Sequence, residues 1–138
     1  SDWWETHWFG NTNQAGSADW EGDGVANSNE FIYGGSPTNS DTDADGLSDL
    51  YEITTNGTSP RWSDTEFDGV SDPAETGTGI YVGPANTGSD PNKWDSDGDG
   101  LGDGAEVSAR TNPNNADIIK PTIVISGPLP GSRRLVLP

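Results

Sequence analysis

At 138 residues the chain has room for one domain or one short array of repeats. Its hydrophobic fraction of 29%, beside 19 Gly and 10 Pro, excludes a large apolar core, so another source of stability is needed. A net charge of −17, from 23 acidic against 6 basic residues, excludes nucleic acid and an anionic membrane surface as partners and points to cations.

The absence of Cys removes disulfides and thiolate metal sites, and the lack of a long apolar run removes a membrane-spanning helix. The chain opens Ser1-Asp2 without Met, which predicts a processed product or a piece of a longer chain. Composition alone reads as disorder. The placement of the acids does not.

Taken in chain order, Asp2 and Glu5 come first. They are spaced as the last two ligands of an acidic loop, so residues 1–5 read as a partial loop leading into a helix over 2–9. The first full loop, 19–30, carries Asp19, Glu21, Asp23, Val25, Asn27 and Glu30, with Gly24 at its sixth position. The second, 41–52, reads Asp41-Thr42-Asp43-Ala44-Asp45-Gly46-Leu47-Ser48-Asp49-Leu50-Tyr51-Glu52. The third, 64–75, carries Asp64, Glu66, Asp68, Val70, Asp72 and Glu75 around Gly69. The fourth, 95–106, carries Asp95, Asp97, Asp99, Leu101, Asp103 and Glu106 around Gly100. The starts lie 22, 23 and 31 residues apart, and the loops hold 19 of the 23 acids, which argues against a generic acidic tail.

The loops at Asp41 and Asp95 match the 12-residue calcium pattern, with acids at positions 1, 3, 5, 9 and 12 and Gly at 6, and those at Asp64 and Asp19 are slightly degraded copies, the latter with Asn27 at position 9. Calcium takes roughly 6–8 hard oxygen ligands, which alternate acids supply in a tight turn. Position 7 offers its carbonyl, so Val25, Leu47, Val70 and Leu101 count among the candidate ligands, and position 12 has the reach to bind through both oxygens. About four ions are expected. Glu21 and Glu66 stand where Asp is usual at position 3, which ranks the loops at Asp41 and Asp95 ahead of those at Asp64 and then Asp19. Magnesium is the runner-up ion, and zinc is disfavoured because His7 is the only His. Five carboxylates per loop repel one another without metal, so folding and binding are expected to be one event.

A Pro stands four residues before a loop start in Pro37/Asp41, Pro60/Asp64 and Pro91/Asp95, and Pro113/Asp117 continues the series. Short helices are expected at 27–33, 48–54, 72–76 and 103–109, none long enough to be stable alone. The position-7 residues, with Phe31, Ile53 and Val107, are expected to form small apolar clusters between units, and the six Trp to pack between repeats. Residues 118–138 differ. Thr122-Ile123-Val124-Ile125-Ser126 reads as a β-strand, confined to an edge by its flanking Pro. The tail reads as the start of a β-sandwich domain, as a strand docked on its own repeats, or as a strand added to a neighbouring copy in a filament.

The stretches Ser36–Glu52 and Asp90–Glu106 resemble bacterial thrombospondin type 3 repeats, and so does the opening Asp2-Trp3-Trp4-Glu5, over roughly 1–117. The resemblance implies an extracellular, calcium-dependent rod or spacer. By it, Asp41, Asp43, Asp45, Asp49 and Glu52 and their equivalents are ligands. The eight extra residues around Ile80-Tyr81-Val82 interrupt a strictly regular array.

The expected fold is therefore an irregular calcium-stabilised array of loop-plus-short-helix units over 1–117, followed by a β-strand tail. The expected function is a secreted structural module with no catalytic role, since a single His and no nucleophile–base pair leave little to catalyse with. The alternative is a calcium-dependent binding module, either dockerin-like toward a protein or stacking a polysaccharide on exposed Trp. Asn56-Gly57-Thr58 is a glycosylation sequon whose simpler reading is an unmodified turn.

Overall fold

A computed structural model of the protein describes residues 2–117, so the expected strand tail and its self-association lie outside the described residues. The described part contains four short α-helices: α1 (Asp2–Phe9), α2 (Asn27–Tyr33), α3 (Asp49–Tyr51) and α4 (Asp103–Ala109). A π-helical turn, Glu52–Asn56, continues α3, and a 3₁₀ turn, Asp72–Ala74, takes the helix position after the third loop. Among the described residues there is no sheet, and pairing is limited to the isolated bridges Ser36–Asn39 and Gly83–Asn86.

Each helical element after a loop opens on loop position 9: Asn27, Asp49, Asp72 or Asp103. The preceding residue is extended in every case, which ends the loop and starts the helix. The acids in the first turn suit the positive end of the helix dipole. The elements stop early because α2 runs into Gly34, the π-helical turn into Gly57, and α4 into Arg110, all in the left-handed conformation. Asp72 is followed by Pro73, and that element never passes a single 3₁₀ turn.

What is buried is unusual. The buried hydrophobic side chains are Trp4, Val25 and Val70, whereas the loop residues at positions 9 and 12 are 0–2% exposed in all four loops. Pro37, Pro60, Pro91 and Pro113 are buried as well. The expected apolar clusters therefore form only in part: Phe31 is 46% exposed, although its ring meets Trp4 at 5.7 Å. The Trp series departs further from expectation. Trp3, Trp8, Trp20, Trp62 and Trp94 are all exposed, leaving Trp4 as the one buried tryptophan among the described residues. A chain with so little apolar content cannot cover its aromatics, and its interior is built from carboxylates and prolines instead.

The eight extra residues before the fourth loop form a self-contained excursion. Gly79 donates to Gly88, and Val82 and Gly83 donate to Asn86, so the chain folds back on itself. The amides of Gly77 and Thr87 then bond Ser89 and Ala74, and the repeat resumes where it left off.

Candidate metal centres

The four loops share one backbone design. The position-6 amide donates to a carboxylate oxygen of the position-1 Asp: Gly24 to Asp19 at 3.0 Å, Gly46 to Asp41 at 3.2 Å, Gly69 to Asp64 at 2.9 Å and Gly100 to Asp95 at 2.8 Å. The position-7 amides of Val25, Leu47, Val70 and Leu101 donate to the position-5 carboxylates of Asp23, Asp45, Asp68 and Asp99 at 2.7–2.9 Å. The position-9 amide closes each loop on the carbonyl just before it, at Ala18, Ser40, Ser63 and Trp94. These bonds need two left-handed residues per loop. Position 6 has φ between 98° and 105° and is Gly in every loop, while position 4 is Gly22, Ala44, Phe67 or Gly98. A left-handed Ala or Phe costs about 1–2 kcal/mol, so Ala44 and Phe67 store strain that the loop geometry holds in place.

The design gathers oxygens. Asp41, Asp43 and Asp45 each bring a carboxylate oxygen within 4.8 Å of the others, as do Asp64, Glu66 and Asp68, and Asp95, Asp97 and Asp99. Glu66, Asp72 and Glu75 form a further group in the third loop. Asp19, Glu21 and Asp23 form no such group, and Glu52 and Glu106 stand outside the triads of their own loops. Glu5 is half-buried on α1.

No donor answers these oxygens. Seventeen buried side-chain oxygens in the loops have no hydrogen-bond partner, among them both carboxylate oxygens of Glu21, Glu30, Glu66 and Glu106. All seventeen are acceptors, and every loop contributes some. Among the described residues the one ion pair is Lys93–Asp90 at 2.8 Å, and Asp90 lies outside the loops. Buried acceptors with neither donors nor basic side chains to face are what a bound cation satisfies. An all-oxygen set of carboxylates and carbonyls suits a hard ion such as calcium.

The electrostatics agree. Burial, reinforced by facing carboxylates, pushes Glu30 up to about 9, Glu52 to about 8, Glu75 to about 10, and Glu66 and Glu106 to about 7. Asp43 is raised to about 6, chiefly by burial. Some of the facing charges come from the adjacent repeat: Asp49 acts on Glu30, Asp72 on Asp43 and Asp68 on Asp103.

The sequence pattern missed a second set of residues that hold the candidate ligands. At loop position 2, the amides of Thr42 and Thr65 donate to Asp49 and Asp72 at 2.8 and 2.9 Å, and their hydroxyls donate to the other oxygen of the same carboxylates at 2.6 and 2.8 Å. The Ser96 amide does the same for Asp103 at 2.9 Å. Each position-2 hydroxyl also accepts the amide of the residue before the buried Pro: Ser36, Ser59 or Asp90. Position 9 is therefore anchored by its own loop as an acceptor of hydrogen bonds. Further on, the Thr58 hydroxyl donates to Glu52 at 3.1 Å and that of Ser89 to Glu75 at 2.9 Å. Ser89 is six residues past Glu75 once the eight-residue excursion is discounted, the same offset as Thr58 from Glu52. A signal was present: the three loops with a hydroxyl at position 2 are those with Asp at position 9, whereas Trp20 accompanies Asn27 in the first.

The family model of the bacterial TSP3 repeat matches residues 41–60 and 95–116. The matched stretches begin at Asp41 and Asp95 and leave out the loops with Glu at position 3, so the match is narrower than the expected span of 1–117. No curated protein and no solved structure matches the chain. The stretches 41–60 and 95–116 are thus similar to bacterial thrombospondin type 3 repeats, a match that suggests a calcium-binding repeat module, and acidic clusters of fitting composition lie at Asp41–Asp45 and Asp95–Asp99 within them.

Proposed function

We propose that the chain is an extracellular structural module, a rod or spacer that calcium rigidifies, with residues 1–117 as the array. The seventeen unpartnered buried acceptor oxygens carry this reading, because they spread through all four loops instead of converging on one reactive centre. In each loop the ion is held by positions 1, 3 and 5, the position-7 carbonyl and the position-12 Glu. It ties the loop to the helix that follows. Anchored at both ends, each unit becomes stiff only when loaded. The weak end of the calcium range, roughly 10⁻⁴–10⁻³ M, matches an extracellular setting.

Limited trypsin digestion tests the mechanism. Arg61, Lys93 and Arg110 are exposed and lie between or beside the loops. Calcium is expected to protect all three from cleavage and chelator to release them together. Identical digests with and without calcium would sink the proposal. A second reading rests on the exposed rings of Trp3, Trp8 and Trp20 near α1, which offer flat faces to a polysaccharide. Retention on a glycan array in calcium, lost on replacing Trp3 and Trp20, would favour it.

A further inference from the structure

In the third loop position 9, Asp72, sits with Glu66 and Glu75 of its own loop, but position 9 of the fourth loop does not. Asp95, Asp97 and Asp99 form one group, but Asp103 lies outside it and instead comes within 4.8 Å of Asp68 and Glu75, positions 5 and 12 of the preceding loop. The chain around Asp103 is pressed against that loop. The Gly104 amide donates to Asp68 Oδ2 at 2.8 Å, and a Cβ at residue 104 would run into the Asp68 carbonyl, so only Gly fits there. Asp103 is 0% and Glu75 2% exposed. Asp103 Oδ2 and Glu75 Oε2 have no hydrogen-bond partner, although Asp103 Oδ1 is occupied by the Ser96 amide. Asp103 and Glu75, each with one buried oxygen that lacks a hydrogen-bond partner, thus flank Asp68 from different repeats. At the boundary between the first and second loops, Asp49 Oδ2 is 2.9 Å and Glu30 Cβ 3.6 Å from where a Cβ on Gly35 would stand, and there Asp49 Oδ2 is taken by the Thr42 hydroxyl.

We propose that Asp103 serves the cation of the preceding loop, completing the Asp64–Glu75 site from across the repeat boundary, so that the third site is whole only when the fourth loop is folded against it. This rests on the calcium reading above and adds the direction of coupling to it. The Ser96 amide holds the carboxylate in place, Gly104 brings it close to Asp68, and Oδ2 is left without a hydrogen-bond partner to serve the neighbouring site. Filling then runs as a coupled series along the array and not as independent events.

Calcium titration of the full chain followed by amide NMR tests this. The Gly69 amide, bonded to Asp64, reports the third loop, and the Gly100 amide, bonded to Asp95, reports the fourth. In Asp103→Asn the Gly69 transition is expected to move to higher calcium by roughly tenfold or more, with a smaller move at Gly100. A shift at Gly100 with Gly69 unmoved overturns the proposal. Should Asp103→Asn not fold, Glu106→Gln decides. It weakens the fourth loop but keeps Asp103, whose side-chain carboxyl carbon signal should then move in step with Gly69. Movement only with Gly100 overturns the proposal. Silence of both glycines in the unaltered chain overturns the calcium reading as well, and so is a distinct failure.

Discussion

Transferring the calcium-loaded protein into excess chelator at neutral pH is expected to unfold the array in one step. The magnitude follows from the unpartnered oxygens. An unsatisfied buried acceptor costs about 1–3 kcal/mol, and more if charged. Seventeen of them, even at about 1 kcal/mol each, exceed the roughly 5–15 kcal/mol by which whole domains are stable. The hydrophobic side cannot compensate, with only Trp4, Val25 and Val70 buried among the described apolar residues. Trp4, at 8% exposure, is the built-in reporter. Its emission should shift to the red on chelation while the far-ultraviolet helix signal falls. Small-angle scattering should expand toward about 38 Å, the radius of gyration of an unfolded chain of 138 residues. Adding back calcium should restore all three. An unchanged fluorescence and helix signal in excess chelator would mean that the seventeen oxygens are satisfied without a metal, and that calcium does not hold the fold.

Acid should partly replace calcium. Glu30, Glu52, Glu75, Glu66 and Glu106 sit well above their ordinary value of 4.5 when the metal-free chain is folded. Their protonation therefore stabilises that fold fully below about 4.5, and the contribution is lost as pH rises through about 7 to 10. The calcium-free protein should gain helix signal as pH falls from about 10 toward 4.5 and level off below that, and a signal that rises with pH instead would contradict the assignment. Thr65→Val removes the hydroxyl that donates to Asp72 and accepts the Ser59 amide, leaving the backbone donor to Asp72, so it should cost about 1–3 kcal/mol in urea unfolding at saturating calcium. A change within about 0.5 kcal/mol would place it with ordinary surface substitutions. Trp20→Thr combined with Asn27→Asp installs in the first loop the position-2 to position-9 contact that the others have. The pair together should lower the calcium needed to shift the Gly24 amide more than the two single changes combined, and simple additivity would argue against that contact.

The sequence pattern already carried the loops, their register and the helix starts, because backbone turns of this kind demand Gly at position 6 and because carboxylates at alternate positions leave few other uses. The helices at 2–9, 27–33 and 103–109 match α1, α2 and α4. The element expected at 72–76 shrinks to a 3₁₀ turn at Asp72–Ala74, where Pro73 follows Asp72, and the one expected at 48–54 splits into α3 and a π-helical turn. Two things were hidden. The hydroxyls of Thr42, Thr65 and Thr58 look like filler between acids, and their value appears only when distances show them bonded to Asp49, Asp72 and Glu52. The partnership of Asp103 with Asp68 spans 35 residues and an inserted excursion, so no local spacing rule reaches it. The exposed tryptophans show the opposite error, since residue type alone argues for burial and the array has too little interior to provide it.

Isothermal calorimetry of calcium into chelator-stripped protein asks directly whether calcium fills the loops. About four ions per chain are expected, one for each complete loop, with heat that includes folding. A stoichiometry of none or one would contradict this and return the loops to an acidic linker.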